Sequence, residues 1–215
     1  QHLFCIKALE KLCNARVENA SLGSTSISYV PGKIEGKTID IDIQTAGSIT
    51  LFLQSLLLPS MFANKPVKFN IIGGTDTKWS PSFDYFNNVF LPQIQKYANI
   101  GCKLLRRGYY PKGHGQVQLK VNPKYKISDF KNFNEFLSHL KGNTQKINLT
   151  EQCHLIQIKG ISHASLNLQD AQVAERQAKT AELSLKNFSC PISIQIEYND
   201  TLSTGSGITL WAIFS

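Results

Sequence analysis

A strand, a helix and a second strand follow one another early in the chain, and this order restricts the fold to an α/β class. Isoleucines alternate with aspartates over Thr38–Ile43, which predicts a strand with one apolar face. The mostly apolar segment Ile49–Phe62 predicts a buried helix with Ser48 or Thr45 as its N-cap. The run Val67–Ile72 predicts the next strand. Such alternation of strands and helices is typical of layered α/β proteins.

Two segments share the order helix, strand, turn, strand, which suggests an internal repeat. The first has apolar residues at helical spacing over 3–13, followed by strand-like residues up to 32. The second has a helix predicted over Phe83–Tyr97, then strands at Cys102–Leu105 and Gln116–Val121. Because any α/β protein contains such strings, true repetition and chance similarity are equal alternatives.

The later part of the chain predicts a second unit. A polar stretch contains a short helix predicted over Phe130–Leu140, and from Cys153 the pattern becomes strand, helix, strand, turn, strand. We therefore divide the chain into a larger domain over 1–147 and a smaller α/β domain over 148–215. The turn Gly205-Ser206-Gly207 lacks the lysine of a phosphate-binding loop and indicates a hairpin.

Charge and composition favour an anionic partner. Lys and Arg number 23 against 15 Asp and Glu, and this net charge of +8 suits a nucleic acid or nucleotide, although many basic proteins have no such partner. The five cysteines include no C-x-x-C pair, and the five histidines lack metal-ligand spacing. With no apolar run of membrane-spanning length and no signal peptide, we expect a cytoplasmic protein without a membrane partner.

Three loop segments combine small, polar and basic residues. They are Thr45-Ala46-Gly47-Ser48, Gly73-Gly74-Thr75-Asp76, and the stretch 106–113 with the sequence Arg-Arg-Gly-Tyr-Tyr-Pro-Lys-Gly. Glycine lets a backbone approach a ligand, amides at a helix start attract phosphate, and arginines beside tyrosines combine charge with stacking faces. For any one segment the alternative is an ordinary turn with solvated arginines.

Together these segments resemble the RNA 3'-terminal phosphate cyclase family. Five motifs occur in the family's order: Gln1-His2-Leu3, Glu18–Thr25, Thr45–Gln54, Gly73–Asp76 and Leu105–Pro111. The similarity is strong over residues 1 to about 122 and weaker through the Ala174-Glu175-Arg176 helix. The resemblance implies an α/β (α+β) fold of repeated helix-backed four-stranded sheet units, as in enolpyruvyl transferases, with a smaller inserted α/β domain.

The resemblance also implies an activity. Members of the family use ATP and a divalent metal, Mg²⁺ or Mn²⁺, to convert the 3'-phosphate of an RNA end into a 2',3'-cyclic phosphodiester. They pass AMP from a histidine to the RNA phosphate before the 2'-hydroxyl attacks, which divides one difficult activation into easier steps. The expected partners are therefore ATP and an RNA 3' end.

Several residues of this chain match positions that the family uses. By resemblance Gln54 contacts the nucleotide and Pro81 packs on the adenine, with a helix-facing amide and a first-turn proline as the structural alternatives. Gln1 and His2 match a pair near the RNA terminal phosphate. Three basic residues are candidates for contacts with other RNA phosphates: Arg106, Arg107 and Lys112. The alternative for each of them is a solvated surface charge.

The chain also departs from the family. We expect the family's glycine-rich and arginine-rich N-terminal segments before Gln1, and its adenylated histidine after Ser215, so this chain carries an incomplete site. His139 and His163 lack the sequence context of that nucleophile. His114 stands where the family has a glycine, which predicts a changed loop.

Two other functions stay open at this point. A non-catalytic, cyclase-like scaffold would bind ribosomal RNA or ribosome-assembly factors, and the intact motif Thr45–Gln54 favours the enzyme over it. A relative of the enolpyruvyl transferases would need basic residues for two anionic substrates, and the sequence matches none of their substrate motifs.

Overall fold

The computed structural model describes residues 2–215, so the expectation for Gln1 lies outside the described residues. The first part of the chain forms four α-helices and six strands, with a π-helical turn between the last two helices. In order these are α1 (His2–Cys13), β1 (Arg16–Glu18), β2 (Ser28–Val30), β3 (Thr38–Asp42), α2 (Ile49–Ser60), β4 (Val67–Gly73), α3 (Phe83–Tyr85), a π-helical turn (Phe86–Phe90), α4 (Leu91–Ile94), β5 (Ala98–Arg106) and β6 (Gly115–Pro123). The remainder comprises α5 (Phe133–Asn143), β7 (Leu155–Ser165), α6 (Val173–Ser184), β8 (Ile192–Asn199) and β9 (Ser206–Phe214), with 3₁₀ turns at Ile127–Asp129 and Leu166–Leu168.

A four-stranded sheet forms the centre of the first unit and confirms the predicted α/β class. Its order is β3-β4-β6-β5, with β3 and β4 parallel and the other pairs antiparallel. The alternation in β3 has the predicted effect, since Ile39 and Ile41 are buried while Asp40 is exposed. On the polar face, the Asn70 amide donates to Asp40 at 2.6 Å and the Gln118 amide donates to Asn70 at 3.0 Å. One face is therefore the core and the other a polar ladder.

Helices α1 and α2 cover the apolar face. Phe52, Leu53 and Leu56 of α2 join Leu12 of α1 in one buried cluster with the sheet. Each of these side chains contributes roughly 1.5–3 kcal/mol of transfer free energy when fully buried. Helix α2 starts where the sequence predicts, because the Ser48 hydroxyl accepts a hydrogen bond from the Leu51 amide at 3.2 Å.

The helix predicted over Phe83–Tyr97 contains a π-helical turn and ends earlier than expected. Ser82 caps it, accepting from the Tyr85 amide. At the wide turn the Leu91 amide donates to the Phe86 carbonyl, five residues back. Pro92 stands in the first turn of α4, and because proline has no N–H and its ring clashes with the carbonyl four residues back, the α-helical hydrogen bond cannot form at that position.

The suspected repeat has a structural counterpart. In the first copy α1 is followed by the antiparallel pair β1 and β2, and in the second the Phe83–Ile94 helical segment is followed by the antiparallel pair β5 and β6. The strands of the second copy are longer than predicted, because residues 98–101 before Cys102 also pair with β6.

The second unit is a three-stranded sheet of order β8-β7-β9 with α6 packed on it. Strand β7 is central, parallel to β8 and antiparallel to β9. The predicted hairpin at Gly205-Ser206-Gly207 is therefore wrong, since β8 and β9 lie on opposite sides of β7 and their connection crosses over it. A hairpin needs adjacent strands, and local turn chemistry does not reveal which strand the chain returns to.

Helix α5 lies between the two units along the chain and packs with the first. Phe136 is buried and meets Phe62 edge-on, with ring centroids 5.2 Å apart, and it also contacts Phe130 and Phe133. The boundary drawn between the two domains stays a prediction. Among the described residues, no helix has the length and apolar character needed to cross a membrane.

Candidate functional site

The three loop segments singled out in the sequence meet at one edge of the four-stranded sheet. Strands β3 and β4 end at this edge, and β6 begins there. The Gly74 amide donates to the Gly47 carbonyl at 2.9 Å, which joins the first two segments. The Thr75 amide donates to the Gly108 carbonyl at 2.9 Å, which joins the second to the third. Segments far apart in sequence thus form one backbone-bonded loop cluster.

Glycines in this cluster allow the backbones of neighbouring loops to pack closely against one another. A Cβ atom on Gly74 would collide with the Ala46 carbonyl oxygen, and one on Gly108 would collide with the Gly115 amide nitrogen and the Gly113 carbonyl oxygen. The sequence predicted space for a ligand at such positions. The structure instead fills that space with neighbouring backbone, so these two glycines preserve the arrangement of the loops.

Two backbone amides at the start of α2 are already paired. The Ile49 amide donates to the Gly74 carbonyl at 2.8 Å, and the Leu51 amide donates to the Ser48 cap. Thr50 is fully buried and its hydroxyl donates to the Pro81 carbonyl at 2.7 Å. These bonds tie the start of the helix to the neighbouring loops.

Gln54 and Pro81 lie on the same side of α2. Thr50, which bonds to Pro81, stands one helical turn before Gln54, and residues four apart on a helix share a face. Gln54 is exposed and Pro81 half-buried, so an amide and an apolar ring face are both accessible there. Pro81 therefore lies beside α2, against the residue one helical turn before Gln54.

His2 stands at the exposed start of α1, near the same edge of the sheet. The Glu35 amide donates to the Leu12 carbonyl at 3.1 Å, which fixes the end of α1 beside the approach to β3. Phe4 and Lys7 from the front of α1 line a small cavity together with Asp42, at the end of β3. Helix α1 therefore runs opposite to β3, and its first residue points toward the end of the strand where the loops cluster.

The three basic candidates have different environments. Arg106 is half-buried and its Nε donates to the Asp200 carbonyl at 3.2 Å. Lys112 has an exposed side chain, while its backbone amide donates to the Ser203 hydroxyl at 3.0 Å. Arg107 is 1% exposed. Burial of this guanidinium argues against both readings given for Arg107 in the sequence, a contact with RNA phosphate and a solvated charge.

In the loop that carries Lys112, the backbone of His114 is left-handed, at the position where the family has a glycine. His114 has φ of 57° and is exposed. Left-handed backbone costs a residue with a Cβ roughly 1–2 kcal/mol, and exposure relieves any further crowding. The change of loop conformation predicted from His114 is therefore not needed to accommodate it.

Arg107 is the centre of a buried ion network. Its guanidinium contacts Asp76 at 3.1 Å, Asp84 at 3.0 Å and Glu197 at 2.9 Å. Asp76 lies in the loop after β4, Asp84 in α3 and Glu197 in β8, so one side chain connects both units. Burial raises the pKa of Asp84 to about 6 despite the neighbouring Arg107.

His163 and Tyr109 complete this network. The Tyr109 hydroxyl and His163 Nδ1 share a hydrogen bond of 2.7 Å, and the rings stack with centroids 5.8 Å apart. His163 Nε2 faces the carboxylates, 3.6 Å from Asp76 Oδ1 and 3.8 Å from Asp84 Oδ2. Burial lowers the pKa of His163 to about 4, so the imidazole is neutral at pH 7.

Sequence reasoning named Arg107 as a candidate for RNA phosphates and included Asp76 and Tyr109 only as parts of the loop segments. It set His163 aside and gave no role to Asp84 or Glu197. In retrospect, two glycines indicate where Tyr109 and His163 pack, since a Cβ on Gly205 would meet Tyr109 and one on Gly207 would meet the His163 ring. The Gly205-Ser206-Gly207 turn thus makes room for the network.

The fold and the loop cluster define a class of α/β proteins in which helix-backed mixed sheets gather glycine-rich loops at one edge. A profile of the family described as RNA 3'-terminal phosphate cyclase matches residues 1–206. The chain therefore belongs to the RNA 3'-terminal phosphate cyclase family, as the motifs indicated.

Curated relatives agree with this assignment. The chain is 44% identical over 213 residues to the RNA 3'-terminal phosphate cyclase of Pyrococcus furiosus, covering 99% of this chain and 57% of the relative. It is 41% identical to the protein of that name from Pyrococcus abyssi, with the same coverage. With the one from Archaeoglobus fulgidus the identity is 39%, over 99% of this chain and 58% of the relative. The chain thus spans somewhat more than half the length of these relatives.

Proposed function

We propose that the protein carrying this chain is an ATP-dependent RNA 3'-terminal phosphate cyclase. One observation supports this most directly: the family motifs, separated by tens of residues in sequence, form one bonded loop cluster that leaves Gln54 and Pro81 accessible on one side of α2. The net charge of +8 suits both substrates, which are polyanions.

The proposed reaction proceeds in three balanced transfers. A histidine nitrogen attacks the α-phosphorus of ATP and releases pyrophosphate. An oxygen of the RNA 3'-phosphate then attacks the same phosphorus and displaces the histidine, giving an RNA adenylate. Finally the 2'-hydroxyl attacks the RNA phosphorus, loses its proton and expels AMP, which leaves the 2',3'-cyclic diester. Adenylation gives the RNA phosphate a good leaving group, AMP, which the 2'-hydroxyl can then displace.

The roles proposed for residues of this chain concern binding. The Gln54 amide can donate to and accept from a nucleotide, and the Pro81 ring offers an apolar face to a base. His2 and Gln1 are proposed to approach the RNA terminal phosphate, and Arg106 and Lys112 other phosphates of the RNA. Gln1 lies outside the described residues, so its place here rests on the resemblance alone.

A divalent ion bound with ATP, Mg²⁺ or Mn²⁺, is also part of this proposal. The cluster of Asp76, Asp84 and His163 does not suit the Mg²⁺ alternative. Mg²⁺ prefers oxygen ligands and keeps several waters and substrate phosphates around it, whereas this cluster is buried and includes an imidazole. We therefore assign no residue of this cluster to the ion of the nucleotide.

The direct test incubates the complete protein with ATP labelled in the α-phosphate and an RNA oligonucleotide ending in a 3'-phosphate. We expect an acid-labile AMP adduct on histidine and a product end that resists phosphatase. A folded protein that yields neither product overturns the proposed enzyme. RNA binding without either product would support the alternative of a non-catalytic, cyclase-like protein of ribosome assembly.

A Gln54→Ala variant tests the nucleotide role. Gln54 is exposed on α2, so the substitution should change the free energy of unfolding by less than about 0.5 kcal/mol. We expect formation of the AMP adduct to fall roughly 2- to 13-fold, while the Kd for RNA stays unchanged, because a lost hydrogen bond to a ligand costs roughly 0.5–1.5 kcal/mol. Gln93→Ala, an exposed glutamine of α4, is the control. Equal losses in nucleotide use and RNA binding contradict the assigned role.

A further inference from the structure

Three side chains of the buried network present metal-ligating atoms to one another. One carboxylate oxygen each from Asp76 and Asp84 and one ring nitrogen of His163 lie within 4.8 Å of one another. His163 Nε2 lies 3.6 Å from Asp76 Oδ1 and 3.8 Å from Asp84 Oδ2. Both distances exceed those of ordinary hydrogen bonds, so the three groups face a common point without bonding to each other.

The charges of the network do not balance. Three carboxylates surround a single guanidinium. Two of them, Asp76 and Asp84, have side chains only 9% and 4% exposed. Because buried charge is costly unless it is compensated, these two carboxylates beside one guanidinium leave one buried negative charge unmatched.

A buried polar atom in the cluster has no partner. Asp76 Oδ1 is shielded from solvent and makes no hydrogen bond in the described part of the chain, although the other oxygen of the same carboxylate contacts Arg107 and Thr75. Such an atom loses its hydration without replacement, which costs roughly 1–3 kcal/mol or more. His163 Nε2 lies 3.6 Å from this oxygen.

The orientation of His163 is the one expected of a metal ligand. Its Nδ1 shares a hydrogen bond of 2.7 Å with the Tyr109 hydroxyl, and in the tautomer whose Nδ1 donates to that hydroxyl, Nε2 presents a lone pair to the carboxylates. A lone pair facing carboxylate oxygens is repelled unless a proton or a cation lies between them. Histidine ligands in proteins usually have their second ring nitrogen fixed by a hydrogen bond, and carboxylate ligands are hydrogen-bonded too, as Asp76 and Asp84 are by Arg107 here.

We propose that Asp76, Asp84 and His163 bind one divalent transition-metal ion, best matched by Zn²⁺. Zinc bonds to imidazole nitrogen and carboxylate oxygen at about 2.0–2.2 Å in tetrahedral geometry, which places its ligand atoms roughly 3.4 Å apart. The observed separations of 3.6 and 3.8 Å need only small side-chain shifts to reach that value. A water completes the coordination, and Glu197, whose side chain is 38% exposed, marks the route from solvent.

The ion has a structural role in this proposal. Asp76 belongs to the loop after β4 and Asp84 to α3, both in the first unit, while His163 belongs to β7 of the second. One ion would therefore join the two sheets next to Arg107, whose contacts already span both units through Glu197. None of the three ligands is a residue assigned above to the nucleotide or the RNA, so the proposal does not depend on the function proposed above.

The first experiment measures zinc binding to the 215-residue chain by isothermal titration after treatment with EDTA. We expect one Zn²⁺ per chain and a rise in the Tm. Asp76→Asn and His163→Gln should each weaken binding by at least about 100-fold, because losing even a side chain that only orients a ligand typically costs 10–100-fold. His154→Gln and Cys153→Ser remove an exposed imidazole and an exposed thiol outside the cluster and should bind like the unchanged chain.

Binding that is absent from the unchanged chain, or that survives Asp76→Asn and His163→Gln in folded protein, overturns the proposal. A second measurement needs no variant, in case the substitutions prevent folding. X-ray absorption at the zinc edge of the loaded chain should show only nitrogen and oxygen neighbours near 2.0–2.2 Å. A sulfur neighbour at about 2.3 Å would assign the ion to one of the five cysteines instead and refute the site.

Discussion

Replacing Arg107 with methionine is the substitution for which the structure gives the clearest magnitude. The guanidinium is fully buried and contacts three carboxylates at 2.9–3.1 Å. Arg107→Met leaves the buried Asp76 and Asp84 without their cation, whereas Glu197 is 38% exposed and can turn toward water. Removing one partner of a buried ion pair costs about 3–5 kcal/mol, and two such pairs remain unmatched here. We expect a loss of stability at or above that range.

The assay is thermal unfolding in the presence of EDTA, which separates this prediction from metal binding. For a chain of this size a loss of 3–5 kcal/mol lowers the Tm by roughly 6–20 °C. Arg106→Met is the matched control, since Arg106 is half-buried and makes one hydrogen bond to a carbonyl, so its loss should cost about 1 kcal/mol or less. Equal losses for the two arginines would refute the buried network.

A double substitution tests the reasoning further. Adding Asp84→Asn to Arg107→Met removes one of the stranded charges, so the double variant should be more stable than the sum of the single losses implies. Coupling between contacting residues is typically 0.5–3 kcal/mol. Additive losses would show that Asp84 and Arg107 do not stabilise each other.

The other predictions concern backbone contact, a buried hydroxyl and thiol reactivity. Gly108→Ala should cost about 1–3 kcal/mol in urea unfolding, because its Cβ meets backbone atoms, whereas Gly101→Ala meets open space and should be neutral or slightly stabilising. Thr50→Val removes a fully buried hydroxyl that donates to the Pro81 carbonyl, and it should cost about 1–3 kcal/mol in the same measurement. At pH 8, mass spectrometry should find Cys153 alkylated by iodoacetamide long before Cys102, since Cys153 is exposed and burial raises the pKa of the Cys102 thiol to about 12. Equal rates for the two thiols would contradict that burial.

Local patterns predicted those elements whose side chains respond mainly to burial. The alternation around Ile39 and Ile41 marked β3, and Ser48 marked the start of α2, because strand period and capping depend on near neighbours in the chain. The crossover from β8 to β9 was not predictable in this way. Its turn has hairpin chemistry, and the choice of β7 as the partner of both strands is a long-range property of the sheet.

The candidate site was also predictable only in part. The motifs containing Gln54 and Gly74 were recognisable as strings, and their convergence confirms that they form one region. The partners of Arg107 were not recognisable, since Asp76, Asp84 and Glu197 lie 31, 23 and 90 residues away in sequence. Only the folded chain shows that one motif arginine is enclosed by carboxylates from both units.

The contrast between Arg106 and Arg107 has a local cause that the sequence does contain. Successive side chains of an extended strand point to opposite faces, and Arg106 is the last residue of β5. Two adjacent basic residues at such a strand end cannot both face the same anion unless the backbone turns between them. Since Arg107 points into the ion network, an RNA phosphate approaching this edge would meet Arg106 or Lys112 first. A basic pair at a strand end therefore predicts one candidate ligand for a nucleic acid and one buried cation.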